Sequence, residues 1–264
     1  MALAPPDKTE RNGFVQMLVN NIYGEIYDMP VRENPNDIIF SDATAGMGHI
    51  PFDFKKSGID LLAFGAHKFN GIKGCGVLII KKSLLPVSSL IWGGDITGGT
   101  PAPALINACA AALRFNIKNQ EEHYIHNQKL QEYMWNELQD IPFLYLNGPA
   151  IGERRAANNI NISISGLTGS DIQKEMSLSG ICISTGSACS SDSFVERRGG
   201  ICHRPYLQDG TREPELVTIF KAGKINNSAE ESIRITTDWT NTIEECKTFI
   251  EQLKYYINFK RGWF

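Results

Sequence analysis

Leu61-Leu62-Ala63-Phe64-Gly65-Ala66-His67-Lys68-Phe69-Asn70-Gly71-Ile72-Lys73-Gly74-Cys75-Gly76-Val77-Leu78-Ile79-Ile80 opens with an apolar run, breaks at a His-Lys pair, passes three glycines and closes with a second apolar run. It reads as strand, polar loop and strand. Lys68 stands at the lip of the first strand. There it can lay its stem over apolar neighbours with its ammonium in water, or serve as an amine at the mouth of a site.

Upstream, Asp37-Ile38-Ile39-Phe40-Ser41-Asp42 is a second short apolar run, closed by an acid, and residues 51–58 connect it to the lysine strand. Two such strands in parallel place Asp42 and Lys68 at neighbouring carboxyl ends, where open α/β sheets bind ligands. Pyridoxal phosphate (PLP) needs a lysine for its Schiff base and an acid that keeps its pyridinium nitrogen protonated. An ion pair at a sheet edge is the competing reading of the same two residues.

Ser41-Asp42-Ala43-Thr44, Gly58-Ile59-Asp60-Leu61, Gly65-Ala66-His67-Lys68 and Gly71-Ile72-Lys73-Gly74-Cys75-Gly76-Val77-Leu78 together resemble the PLP-lysine region of NifS-type cysteine desulfurases, within the class V aminotransferases. Downstream, Ser184-Thr185-Gly186-Ser187-Ala188-Cys189-Ser190-Ser191 is similar to their catalytic cysteine loop. The likeness extends, with gaps, from Val15 to Leu253. It implies an α/β fold of the PLP-dependent transferase type (fold type I). Residues 1–100 would form a partial large-domain sheet, and residues 101–264 an α+β small domain carrying the cysteine loop.

The resemblance also implies roles. Lys68 holds PLP and shuttles the substrate α-proton, Asp42 keeps the ring nitrogen protonated, and His67 lies near the phosphate. Asn20-Asn21-x-x-Gly24 is similar to a family motif whose second Asn contacts the cofactor, which makes Asn21 a cofactor and substrate contact; an Asn-rich turn explains it equally without a ligand. Thr100 matches a residue that reaches the PLP phosphate of a neighbouring subunit, and N-capping of a helix is its alternative. Glu231-Ser232-Ile233-Arg234-Ile235-Thr236 is similar to a Ser-Ile-Arg segment whose Arg pairs with the substrate carboxylate fork for fork; seen alone, Arg234 is as readily a strand-surface arginine. Cys189, as thiolate on a mobile loop, takes sulfur from L-cysteine as a persulfide and alanine is released. L-cysteine, a sulfur-acceptor protein of iron–sulfur cluster or other sulfur biosynthesis, and a second copy in a homodimer are the implied partners.

The match has departures. The family's N-terminal portion, with its phosphate-gripping turn and ring-stacking histidine, has no counterpart here. Ala45 stands where a cofactor-contacting Gln is usual, Gly65 stands where a phosphate-binding Ser is usual, and the Arg before the phosphate Thr is replaced near Thr97. A truncated, non-catalytic binding or scaffold subunit, and a related PLP lyase or aminotransferase, therefore compete with the desulfurase reading. The segment from Cys189 to Arg234 is longer than usual for the family, as a lid, a docking insertion or disorder would be.

The 264 residues are 42% hydrophobic with a formal net charge of −3, which gives no electrostatic reason to expect nucleic acid. No apolar run approaches the roughly 20 residues that cross a bilayer and no signal-peptide pattern opens the chain, so a cytoplasmic protein off the membrane is expected. Six cysteines without a Cys-x-x-Cys pair argue against structural zinc or a disulfide framework. Cys75, Cys109, Cys182 and Cys246 read as buried small hydrophobes. Cys189 sits among Gly, Ser, Ala and Asp in an exposed loop, with Cys202 beside His203 its rival for reactivity.

Periodicity supplies the remaining elements. A strand is expected over Val15–Val19, then an irregular connection from Gly24 to Asp37 around Pro30 and Pro35. Helices are expected over Pro101–Phe115, N-capped by Thr100, and over Asn119–Gln139, with Leu130, Met134 and Leu138 inward and His123 and His126 facing solvent. Asn159–Ile164 alternates as a half-buried strand, Ser170-x-x-Gln173 caps a helix ended by Gly180, and Ile181–Ser184 reads as a strand. A final helix begins at Thr242 with a Glu245 capping box and buries Ile243, Phe249, Ile250 and Leu253.

Overall fold

Four strands of five residues frame the first part of the chain: β1 (Gly13–Met17), β2 (Ile38–Asp42), β3 (Leu61–Gly65) and β4 (Gly76–Ile80). The computed structural model describes residues 12–85, 98–185 and 231–263. Its Cα packing separates a first unit, Met1–Asn20 with Ile26–Tyr124, from a second, Asn21–Glu25 with Ile125–Phe264.

In the first unit the strands run in the order β1-β2-β3-β4. The first three are parallel and β4 is antiparallel to β3, with Asp42 in register with Met17 on one side and Ala63 on the other. Ile39, Leu62 and Phe64 point into a core shared with Ile59 and Phe69, as β-prone apolar runs should. Asp60 locks the base of β3. Its N–H donates to Ile39 O and its carboxylate accepts from Ile39 N, Arg32 and Lys81. The connection from Tyr27 to Asp37 is irregular, as its prolines indicate.

Helix α1 spans Pro103–Lys118 and is capped at Ala102 without a side-chain bond, with proline at its first turn. It therefore starts two residues later than expected. Pro103, rather than Pro101, takes the position where a missing N–H costs nothing, and Thr100 lies outside the helix. His123 is buried, with its ring 5.6 Å from that of Phe115, not turned to solvent.

The second unit holds the antiparallel sheet β5 (Leu144–Leu146), β6 (Asn159–Ile164) and β7 (Ser232–Thr236), with β6 central. Helices α2 (Gln120–Leu138), α3 (Gly169–Leu178) and α4 (Ile243–Arg261) complete the described elements. Leu130, Met134 and Leu138 of α2 join Ile160, Ile162, Ile164, Ile172, Ile233, Phe249, Ile250 and Leu253 in one core. The α4 capping box between Thr242 and Glu245 is present, although Ile243 is exposed. Helix α3 is capped by Thr168, which accepts from Asp171 N, and not by Ser170.

Further expectations are corrected here. All six residues of β6 are buried: its polar side, Asn159, Asn161 and Ser163, is covered by the chain at 21–24 and by Asn147 instead of water. Residues 181–184 make only an isolated bridge, Ser184 to Arg234. Cys182 is exposed and Cys75 half-buried, while Cys109 and Cys246 are buried as expected. His126 bonds Asn241 O through its ring nitrogen at 2.8 Å.

Candidate active site

Beyond β3 the chain makes a tight turn, Ala66–Lys68. Ala66 O accepts from Phe69 N at 3.3 Å and Gly71 N at 2.9 Å, and Ala66 N donates to Cys75 O at 3.0 Å. Residue 71 must be glycine, because a Cβ there would stand 2.7 Å from Ala66 O. Phe69 is buried edge-on to Phe64 at 6.0 Å, and its carbonyl accepts from Asn116 Nδ2 of α1 at 2.8 Å. His49 Nε2 lies 2.6 Å from Lys68 O and must carry a proton to donate to it. Lys68 thus has a backbone held from several sides and an exposed side chain. Its ammonium makes no ion pair among the described residues.

Asp42 closes β2, beside the strand that delivers Lys68. It is exposed, and its Oδ1 accepts from Thr44 N at 2.8 Å. The His67 ring lies against Gly65: a Cβ on residue 65 would be 2.9 Å from His67 Cε1 and 3.7 Å from Thr44 Cγ2. A side chain at 65 would make the exposed His67 ring shift. Thr100 is exposed behind Gly98 and Gly99, both at positive φ.

Asn21 and Arg234 belong to the second unit and meet there. Arg234 Nη1 donates to Asn21 O at 2.8 Å. The carbonyls that follow are also taken: Ile22 O by the amides of Asn159 and Asn161, both at 3.2 Å, Tyr23 O by Arg155 Nη1 at 2.8 Å, and Gly24 O by Ala156 N at 2.7 Å. Burial lowers the Arg234 pKa, and its Nε and Nη2 have no partner among the described residues. This half-buried guanidinium thus keeps the Nε–H and Nη2–H pair that matches a carboxylate fork. Burial also pulls Arg155 down to about 10, with Glu25 acting in the opposite direction, so it remains charged at neutral pH. On the other edge of β7, Ser184 exchanges both backbone bonds with Arg234, at 2.7 and 3.1 Å. Cys189 and Cys202 lie outside the described residues, as does the stretch around Thr97.

The model of the aminotransferase class-V family matches residues 14–204. The chain belongs to the class-V aminotransferase family. Among curated relatives, the cysteine desulfurase IscS of Clostridium botulinum is 31% identical over 259 residues, covering 93% of this chain and 59% of the relative. The cysteine desulfurase IscS of Dictyoglomus turgidum is 37% identical over 189 residues, covering 67% and 47%. A NifS-like protein of known structure superposes with a TM-score of 0.72 at 24% identity over 94% of this chain and 61% of that one. A NifS-like protein from Rickettsia africae gives 0.72 at 22% identity, over 93% and 62%. These two share its fold. The chain spans about three fifths of the length of the botulinum relative.

Class-V aminotransferases of the IscS group are PLP-dependent, and the first unit of this class-V chain fits the cofactor. An amine without an ion pair among the described residues, an exposed carboxylate and a histidine lie at or just beyond the carboxyl ends of two parallel neighbouring strands. Sequence reasoning found these three, and missed His49, Asn116, Arg155 and the two amides of β6. The alternation of Asn159, Asn161 and Ser163 was the one available signal. It marked a polar side without marking that it is buried.

Proposed function

We propose that this chain carries the machinery of a cysteine desulfurase. The observation that carries the reading is Lys68, backbone-locked and exposed, one strand from Asp42. Lys68 would hold PLP covalently and move the substrate α-proton, and Asp42 would keep the ring nitrogen protonated. His67 and Asn21 would contact the cofactor, and Thr100 would reach the PLP phosphate of the neighbouring subunit. Bound PLP supplies an electron sink for the substrate α-carbon. Arg234 would take the L-cysteine carboxylate through Nε–H and Nη2–H, with Asn21 beside it. Cys189, as thiolate, would attack the substrate sulfur: the C–S bond breaks, an S–S bond forms and the carbon gains a proton, so L-cysteine and a thiol give L-alanine and a persulfide. A sulfur-acceptor protein, as in iron–sulfur cluster assembly, would then receive the sulfur, with the protein acting as a homodimer in the cytoplasm.

Ala45 and Gly65, each lacking a side chain that contacts the cofactor in the family, favour a second reading as a non-catalytic binding subunit. Absorption spectra separate the two. With PLP added, a Schiff-base band that borohydride fixes in wild type and not in Lys68→Ala supports the enzyme, as does alanine formed from L-cysteine and lost in Cys189→Ser. A folded protein without that band overturns the enzyme reading. A band with turnover that survives Cys189→Ser indicates a PLP lyase or aminotransferase instead.

A further inference from the structure

Arg155 is 2% exposed, yet its side chain bonds no carboxylate among the described residues. All five guanidinium donors go to oxygen atoms of neutral groups: Nε to Pro149 O, Nη1 to Tyr23 O and Asn159 Oδ1, Nη2 to Asn147 O and Pro149 O. A planar fork with every donor spent has one geometry. It ties Tyr23, 132 residues away in sequence, to the nearer stretches at 147–149 and 159. Next to Tyr23, Ile22 O is held by two amides that are themselves buried, Asn159 and Asn161. Asn21 O, one residue further, is therefore a fixed acceptor, and it is the atom that Arg234 Nη1 meets.

We infer that Arg155 is a positioning residue for recognition of the substrate carboxylate, acting through segment 21–24 on the guanidinium of Arg234. An arginine on a strand surface has rotamer entropy to lose when it is held. Pinning Nη1 to a rigid carbonyl removes part of that cost before the ligand arrives. It also leaves Nε–H and Nη2–H, the parallel pair that matches a carboxylate. Lysine at 155 keeps the charge but has donors on a single atom, and cannot bridge three stretches of chain. The inference rests on the assignment of Arg234 given above.

The test uses the full chain as Arg155→Lys, Arg234→Lys and the double variant. Side-chain nitrogen NMR, with the Arg234 signals assigned by their loss in Arg234→Lys, reads the guanidinium directly. In Arg155→Lys the separate Arg234 signals should broaden or merge while unfolding stays cooperative. In turnover, KM for L-cysteine should rise about tenfold with kcat within about twofold, as expected when a charge-assisted contact in the bound ground state is lost. The double variant should be no worse than Arg234→Lys alone, since both act on one contact. Unchanged Arg234 signals, or KM effects that multiply in the double variant, would overturn the assignment. If Arg155→Lys does not fold, Asn159→Asp takes its place: it keeps the acceptor for Arg155 and removes one donor to Ile22 O. If the wild-type chain turns over no L-cysteine, the desulfurase reading fails and the NMR result still decides this one.

Discussion

Asn116 Nδ2 donates to the carbonyl oxygen of Phe69 at 2.8 Å, so the residue after Lys68 is fastened to the last turn of α1. The same amide also reaches Ala112 O at 2.9 Å. Asn116→Ala would leave Phe69 O without its side-chain donor in a buried place. The expected cost is about 1–3 kcal/mol, read by urea denaturation. The Schiff-base band should form more slowly on PLP addition, because the amine is less well placed.

Gly71 closes the lysine turn at a distance no side chain tolerates, with a Cβ 2.7 Å from a backbone oxygen. Gly71→Ala must open the Ala66–Gly71 bond. Overpacking of this kind costs about 1–3 kcal/mol, and PLP capture should fall with it. Gly58→Ala, where a Cβ meets nothing within 4 Å, should lower stability through its positive φ alone and leave PLP capture unchanged. Thermal melting and the visible spectrum of both variants check this contrast.

Asp60 governs the acid limit of the first unit. Burial pushes its carboxyl up, but bonds from Arg32, Ile39 N and Lys81 outweigh that and leave it below its ordinary 3.8. A depressed carboxylate stabilises the fold above its unfolded pKa, and the contribution disappears as pH falls through the folded value. Wild type should therefore lose stability as pH drops below about 4. Asp60→Asn should be less stable at neutral pH and show a flatter acid limb, measured as melting temperature against pH.

The described cysteines divide by reactivity. Burial pushes the Cys246 thiol up to about 11, helped by Glu245, and burial together with Cys75 raises Cys109. Neither should form thiolate near neutrality, whereas Cys182 is exposed. Brief alkylation of native protein followed by mass mapping should modify Cys182 and spare Cys109 and Cys246. A persulfide found on either buried thiol after L-cysteine treatment would contradict this.

The lysine strand and the aspartate strand were legible because each is a short β-prone run with its chemistry at one end, and local pattern carries both. The start of α1 was misplaced because Thr100-Pro101 and Ala102-Pro103 both look like helix openings, and only packing chooses between them. The polar side of β6 was misjudged for a deeper reason. Alternation says which residues face away from the apolar core, but not whether water or another piece of chain waits there. Arg155 gave no local sign of being buried, since its acceptors are carbonyls at 23, 147 and 149, and backbone atoms leave no trace in composition.

Because residues 21–25 belong with a sheet more than a hundred residues downstream, no single cut divides this protein into its two halves. Severing the chain at 124/125 would strip the second half of the carbonyls of Asn21, Ile22 and Tyr23, taking one acceptor from Arg155 and from Arg234 and leaving the buried amides of Asn159 and Asn161 without Ile22 O. A fragment meant to stand alone would have to bring that short peptide with it, as a graft or a supplement. For the same reason, a recombinant splice with a relative must exchange 21–25 and 125–264 together, as one inherited part.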